Sequence, residues 1–363
     1  MKLIVAGGGT GGHIYPALSI ADKFMEKEKN LEVLYIGTPN SLESTIVPAY
    51  GYRFKTIDVK GFPRKLNKES MKRTIKLIKS LSDVRKILKE EKPDMVIGTG
   101  GYVSGPVVMV ASLMGIKTAI HEQNVFPGVT NKLLSKKADY ILTGFEESIK
   151  RFKYPEKSFF VGNPIRQNYF NDSREEAKES LNIPLNKKLI LSVGGSGGSA
   201  GLNKAIKEMI LNDKKKDYFL IHVTGRYHYK AFIESLGRKE FDDDFQILPY
   251  IDKIGTYMSA SDIIICSAGA ITLAEVSYLG RASIVIPKAN TAENHQEYNA
   301  RVVESSGAGF FVKEKDLSYD ILKNKLNQII FDEKLKAEME KNSKLLSKSC
   351  PSEEIYNIVM RNS

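Results

Sequence analysis

The run KLIVAGGGTGGH at residues 2–13 constrains the fold more than any other stretch of the chain. A short β-branched strand passes through five glycines and enters an apolar-periodic helix near Pro16, which is the opening of a parallel strand-turn-helix unit. Glycine leaves the backbone amides of such a turn open to close approach, and the helix N-terminus adds positive potential, so the loop is of the phosphate-binding type. A second loop of the same design, GGSGGSAG at 194–201, follows KLILSV.

Between these landmarks, strand-like runs alternate with helix-length amphipathic stretches. KLIVA, LEVLYIG, RFKTIDV, DMVIG, KTAIH and DYILT come first. After VGNP at 161–164 the pattern restarts with KLILSV, YFLIHV, FQILPY, DIIICS, ASIVIP and GFFV. The reading is an α/β chain of two doubly wound, Rossmann-like domains facing across a cleft, residues 1–163 and 164–342. The chain from about Leu317 reads as helices, the last starting at Pro351; the sequence does not show where they dock, and joining the first domain is one option for the segment 343–363. With 363 residues, 42% of them apolar and 27% charged, the chain has ample material for two cores and is not disordered in character.

No apolar run approaches the roughly 18–20 residues that cross a bilayer, and the opening LIVA meets glycines where a signal peptide would continue. A protein without a spanning helix or signal peptide is expected. Cys266 and Cys350 stand alone, with neither a disulfide framework nor a thiolate metal site indicated. The net charge of +11 is uneven: residues 1–163 carry 26 basic against 16 acidic side chains, and residues 60–92 alone carry 12 against 4. Such a local field invites an anionic partner.

Gly7, Gly9 and Gly12 satisfy GxGxxG, but the second strand ends in Gly37 and Thr38 where a dinucleotide-binding domain places a ribose-binding acid. VTGR at 223–226 lacks that acid as well, so a nicotinamide cofactor is disfavoured. The element SAGAITLAE at 267–275 sets small residues and Thr272 at a helix start, with Glu275 one turn inside. It reads either as a diphosphate and ribose site or as an ordinary amphipathic helix. His13 reads either as a general base or as a hydrogen-bond donor to phosphate. His121 and His222 lie in buried-looking strands and read as structural, while His228 and His295 lack metal-ligand spacing. The acidic run Asp242, Asp243 and Asp244 reads as a solvated turn, and no metal site is expected.

These residues resemble the family of bacterial transferases that add N-acetylglucosamine to lipid I in peptidoglycan synthesis (the MurG type), of two-domain GT-B architecture. The matching segments are GGTGGHIYPALSIA (8–21), GTGGYVSGP (98–106), HEQN with Gly128 and Asn131, VGNPIR (161–166), GGS (194–196), the SGAITLAE-type element and HQEYNA (295–300). The resemblance implies UDP-N-acetylglucosamine as donor, held by Thr10, Gly11, Gly12, Asn124, Arg166, Ser196, Ile251, Ala270, Ile271, Thr272, Leu273, Ala274, Glu275 and Gln296. The lipid I diphosphate is left for Gly9, Gly100, Gly101, Tyr102 and Ser104. The sequence departs from the family's GGSxGA at Gly197 and Ser199, which removes any side-chain contact from position 197.

The implied reaction is a single inverting displacement by the acceptor 4-hydroxyl. His13 is the candidate base, and no cofactor or metal is expected. Ile75, Ile78, Leu81, Val84 and Leu88 recur at helical spacing beside Lys72, Arg73, Lys76, Lys79 and Arg85. This stripe reads either as core or as a basic amphipathic face on the anionic cytoplasmic surface of the cell membrane. Other cell-wall synthesis proteins are possible partners; nucleic acid is not expected, because no recognition motif accompanies the charge. Another GT-B enzyme, such as a UDP-N-acetylglucosamine epimerase, and a donor-binding sensor without turnover are the competing readings.

Overall fold

The computed structural model describes residues 1–59, 68–195, 197–213, 218–237, 244–289 and 291–361, with backbone only for 68–77, 168 and 292. The chain divides into two compact units, Met1–Ile165 with Cys350–Ser363, and Arg166–Ser349. In the first unit the order is β1 (Lys2–Gly7), α1 (Gly11–Lys27), β2 (Glu32–Gly37), α2 (Leu42–Ala49), β3 (Arg53–Thr56), α3 (Lys68–Glu91), β4 (Met95–Gly100), α4 (Gly101–Leu113), β5 (Lys117–Glu122), α5 (Val129–Leu134), β6 (Tyr140–Thr143) and β7 (Ser158–Phe160). The strands form one sheet in the order β3-β2-β1-β4-β5-β6-β7, with every described pairing parallel.

The second unit runs α6 (Arg174–Ser180), β8 (Lys188–Val193), α7 (Ala200–Asn212), β9 (Tyr218–Val223), α8 (Tyr229–Leu236), β10 (Phe245–Leu248), α9 (Ile254–Ala260), β11 (Ile263–Cys266), α10 (Ala270–Leu279), β12 (Ala282–Val285), α11 (His295–Ser305), β13 (Gly309–Phe311), α12 (Tyr319–Phe331) and α13 (Glu333–Leu345). Its parallel sheet has the order β10-β9-β8-β11-β12-β13. Both are Rossmann-like windings, in which the strand order reverses beside the first strand of the sheet. The reversals fall between β1 and β4 and between β8 and β11, and the two glycine loops leave β1 and β8.

The six strand-like runs of each half all form strands. The seventh strand of the first sheet, β7, escapes the pattern because three half-buried residues at a sheet edge are too few for periodicity to register. Parallel strands covered on both faces read as continuous apolar runs, and Leu3, Ile4, Val5, Ala6, Ile263, Ile264 and Ile265 are all fully buried.

The last helix, α14 (Pro351–Arg361), docks on α1 of the first unit. Ile355 and Val359 are fully buried, and the Phe24 and Tyr356 rings meet edge to face at 5.1 Å. Ser352 reaches Ser19 at 3.0 Å, and the Ser19 hydroxyl donates to the Ile165 carbonyl. Ile355→Ala should cost the first unit about 2–5 kcal/mol, seen as faster hydrogen exchange throughout α1. Unchanged exchange in α1 would mean that α14 contributes nothing to that core.

Candidate functional site

In the first unit, two glycine segments interlock where the strand order reverses. The amide of Gly8 donates to the Gly100 carbonyl at 3.3 Å, and a Cβ added at Gly101 would stand 2.3 Å from the Gly8 oxygen. Gly100 has φ 110°, and a Cβ there would stand 2.7 Å from Cδ2 of His13. Glycine is therefore required at both positions. The Thr99 hydroxyl donates to the His13 carbonyl at 2.7 Å, and Tyr35 donates to the Gly7 carbonyl at 2.7 Å.

His13 lies in the first turn of α1 with Nδ1 2.9 Å from the Gly8 carbonyl. A carbonyl oxygen has no proton to give, so Nδ1 carries the proton and Nε2 of the neutral ring keeps its lone pair. That is the tautomer a base needs. The first-turn amides of Gly11 and Gly12 have no hydrogen-bond partner among the described residues, leaving them open to an anion.

Two expected acceptor contacts are differently employed. The amide of Gly9 donates to Oε2 of Glu43 at 3.1 Å, so it is already occupied by an anion of the protein itself. Ser104 is fully buried; its hydroxyl oxygen accepts from the Gly100 amide at 3.0 Å and lies 2.7 Å from the carbonyl oxygens of Ala6 and Gly100, to which its O–H can donate. It staples α4 to β1 and is not a ligand contact. Tyr102, by contrast, is well exposed.

HEQN and VGNP form one buried network. Nε2 of His121 donates to the Gly162 carbonyl at 3.0 Å, the Gln123 amide donates to the Thr99 carbonyl at 2.7 Å, and Asn163 donates to the Gln123 carbonyl at 3.0 Å. Glu122 accepts from the amides of Asn124 and Gly128 and from the Asn131 side chain. Half-buried Asn124 is thus held by a carboxylate beside it. Burial pushes His121 down to about 4, so it stays neutral at ordinary pH and serves structure.

In the second unit, Gly198 packs its backbone against Thr224, and Ser199 caps α7 through the Leu202 amide while its hydroxyl donates to Glu314 at 3.0 Å. Ser196 lies outside the described residues, as do Asp242 and Asp243; Asp244 pairs with Lys187. α10 begins after Gly269 with no side-chain cap, so its first-turn amides can meet a phosphate. Ala270 and Leu273 are buried, which confines Leu273 to a packing and backbone role; Ile271, Thr272 and Ala274 are half-buried. Ile251 is buried too, leaving its backbone as the group a base could read. Burial pushes the half-buried Glu275 carboxyl up to about 7, against the pull of the Arg166 charge. Arg166 donates to the Tyr169 hydroxyl at 2.9 Å. Gln296 accepts from the Lys288 amide at 3.0 Å through Oε1, which leaves its side-chain NH2 as the donor end.

Lys288 itself was not singled out from the sequence. A Cβ at Gly195 would stand 3.8 Å from its ammonium and 3.5 Å from the Ser267 hydroxyl, so lysine, serine and glycine loop converge at the end of β8. Burial lowers its affinity for a proton, while Glu314 raises it. Its place directly after ASIVIP, at the carboxyl end of a strand, was the available signal. Among the described residues, no three His, Cys, Asp or Glu side chains gather as a metal site would require.

On α3, Val84 and Leu88 are buried in the core, and half-buried Leu81 packs against that core. Ile78 is 63% exposed and Lys79 is exposed beside it. The side chains of Lys72, Arg73, Ile75 and Lys76 lie outside the described residues. No described helix is long and apolar enough to cross a membrane.

The N-terminal domain of glycosyltransferase family 28 matches residues 3–143, and the C-terminal domain of the same family matches residues 189–354. The chain belongs to glycosyltransferase family 28. Among family 28 relatives, a Finegoldia magna protein is 47% identical, covering 99% of this chain and 98% of its own length. A Clostridioides difficile protein is 44% identical, covering 99% and 89%. Both are named UDP-N-acetylglucosamine--N-acetylmuramyl-(pentapeptide) pyrophosphoryl-undecaprenol N-acetylglucosamine transferase. Of solved structures, MurG of Acinetobacter baumannii aligns with TM-score 0.79 at 25% identity over 99% of both chains. A UDP-GlcNAc 2-epimerase of Neisseria meningitidis aligns at 0.70 with 15% identity over 100% of both, a likeness of fold alone. The two windings are the pair of Rossmann-like domains of the GT-B architecture.

The His13–Gly100 contact gives a direct test. Gly100→Ala should displace the imidazole and lower glycosyl transfer by about 10²-fold or more, since a displacement near 1 Å at a reacting group costs that much. A folded Gly100→Ala protein with parental turnover would show that the ring position does not matter.

Proposed function

We infer that this chain transfers N-acetylglucosamine from UDP-N-acetylglucosamine to the 4-hydroxyl of the N-acetylmuramoyl unit of undecaprenyl-diphosphate-linked lipid I, forming lipid II for peptidoglycan. The observation that carries this is the match, over 99% of the chain, to relatives bearing that activity in their names. The epimerase likeness is one of winding, at 15% identity, and supports no second activity.

The site residues supply the chemistry of an inverting displacement. Nε2 of His13 takes the proton of the attacking hydroxyl, the hydroxyl oxygen bonds to the anomeric carbon, and the bond from that carbon to the UDP oxygen breaks. Inversion gives a β-1,4 link. Charge on the departing diphosphate is met by Arg166, by the first-turn amides of α10 and by Lys288. The ribose is assigned to Glu275, the sugar hydroxyls to the side-chain amide of Gln296, further donor contacts to Gly11 and Gly12, and the lipid I diphosphate to Gly101 and Tyr102. With so many protein donors for the diphosphate, transfer is expected to need no divalent ion. The exposed Ile78 and Lys79 on α3 support contact with an anionic membrane surface on the cytoplasmic side.

Transfer of labelled N-acetylglucosamine to a lipid I analogue tests the reading. The parent should turn over equally with and without EDTA, and His13→Ala should lose about 10²–10⁴-fold in kcat. A folded parent that binds UDP-N-acetylglucosamine but transfers nothing to lipid I would defeat the assignment. Glu275 adds a pH signature. Because its carboxyl is pushed up to about 7, protonation below that pH removes an acceptor from the ribose, so UDP binding should weaken as pH falls through about 7. Glu275→Gln cannot titrate and should flatten the curve; parallel curves for the two proteins would take Glu275 out of the ribose site.

A further inference from the structure

The peptide group joining Gly8 to Gly9 is hydrogen-bonded at both ends. Its carbonyl accepts from Nδ1 of His13 at 2.9 Å, and its N–H donates to Oε2 of Glu43 at 3.1 Å. Carboxylate, peptide and imidazole therefore stand in one line of hydrogen bonds. We propose that Glu43 is a positioning residue for the transfer reaction, acting on His13 through this peptide as the carboxylate of a carboxylate–histidine pair acts directly. The inference rests on the reading of His13 as the base.

Several observations show that the carboxylate is built in. Glu43 is fully buried, on a helix whose first residue follows the Ser41 cap. Its Oε1 accepts from the Thr38 amide at 3.1 Å and the Thr38 hydroxyl at 2.6 Å. Burial works toward protonating it, but these bonds and the Gly9 amide prevail and hold it below the ordinary carboxyl range, so it is charged. A Cβ at Gly8 would stand 2.5 Å from Oε1, and a Cβ at Gly37 would stand 2.7 Å from its Cγ, so the carboxylate fills a slot lined by glycines.

Such a charge answers a specific difficulty. His13 sits at the N-terminus of α1, where the helix dipole disfavours an imidazolium and so weakens the base. A buried carboxylate beyond an intervening amide draws the amide proton, makes the Gly8 carbonyl a stronger acceptor and favours the imidazolium that forms as the hydroxyl proton arrives. Among the described residues, two other titratable groups whose bonds to this cradle are seen, Tyr35 and His121, are neutral. Tyr35 from β2 remains a phenol, its ionisation suppressed by burial and by Glu43, and His121 from β5, linked through Gln123 to Thr99, is neutral. Thr10 approaches the same imidazole nitrogen at 3.5 Å.

The test is a titration of the full chain carrying ¹³C,¹⁵N-labelled histidine, with the His13 resonance assigned by its loss in His13→Ala. The parent should show neutral His13 protonated at Nδ1. Glu43→Gln should lower its pKa by about 0.5–1 unit, a three- to tenfold change in ionisation constant. In transfer assays the acid limb should move down with it, kcat should fall and the KM for UDP-N-acetylglucosamine should hold. In a His13→Ala background Glu43→Gln should add nothing. An unchanged His13 pKa in folded Glu43→Gln, or effects that multiply in the double variant, would overturn the proposal. So would an Nε2-protonated ring in the parent, a result independent of whether any variant folds. The titration needs no acceptor, so a chain inactive on lipid I would defeat the function while leaving this measurement standing.

Discussion

Two stretches of backbone meet without side chains between them where β1 and β4 diverge, and the first unit is organised around that contact. Gly101 lies against the Gly8 carbonyl, Gly100 against the His13 ring, and Ser104, Thr99 and Tyr35 tie off the carbonyls left over. A parallel sheet brings these segments together from positions 87 to 93 residues apart, because its crossovers return each strand in the same direction. The imidazole is thereby held by backbone, which has fewer ways to move than a side-chain contact would have.

The second unit repeats the winding with different electrostatics. Its loop also depends on close backbone approach, since a Cβ at Gly198 would stand 2.1 Å from the Thr224 oxygen. In the first unit, however, the glycine loop is closed by the Glu43 carboxylate, whereas the second loop has the Lys288 ammonium near Gly195. Two loops that look alike in sequence therefore offer different fields to an anion. Ser199, a departure from the family's pattern, finds a local use as the cap of α7 and a partner of Glu314.

Much of this was legible in the chain, because glycine turns and continuous apolar runs are local signals. GGGTGGH, GGSGGSAG and the twelve strand runs each declare themselves within a dozen residues. Glu43 was not legible: on sequence it is one glutamate in SLESTIVP, and its meaning arises only when α2 is laid against the first loop. The α3 stripe stayed open between core and surface for the related reason that a helix stripe records periodicity but not which neighbour covers it; Val84 and Leu88 are in the core, and Ile78 is exposed. The family motifs single out Asn124 and Gln296 in sequence, yet the groups that orient them, Glu122 and the Lys288 amide, are supplied by tertiary structure.

The docking of α14 on α1 makes the first unit discontinuous along the chain, with the whole of the second unit inserted before its final helix. On the ribosome, chains ordinarily fold domain by domain from the N-terminus. Here the inserted unit has every one of its elements in hand before the unit that precedes it does. Ile355 and Val359 emerge after all of it, so the surface of α1 that they cover stays open to water, or to a chaperone, until the second unit has been made.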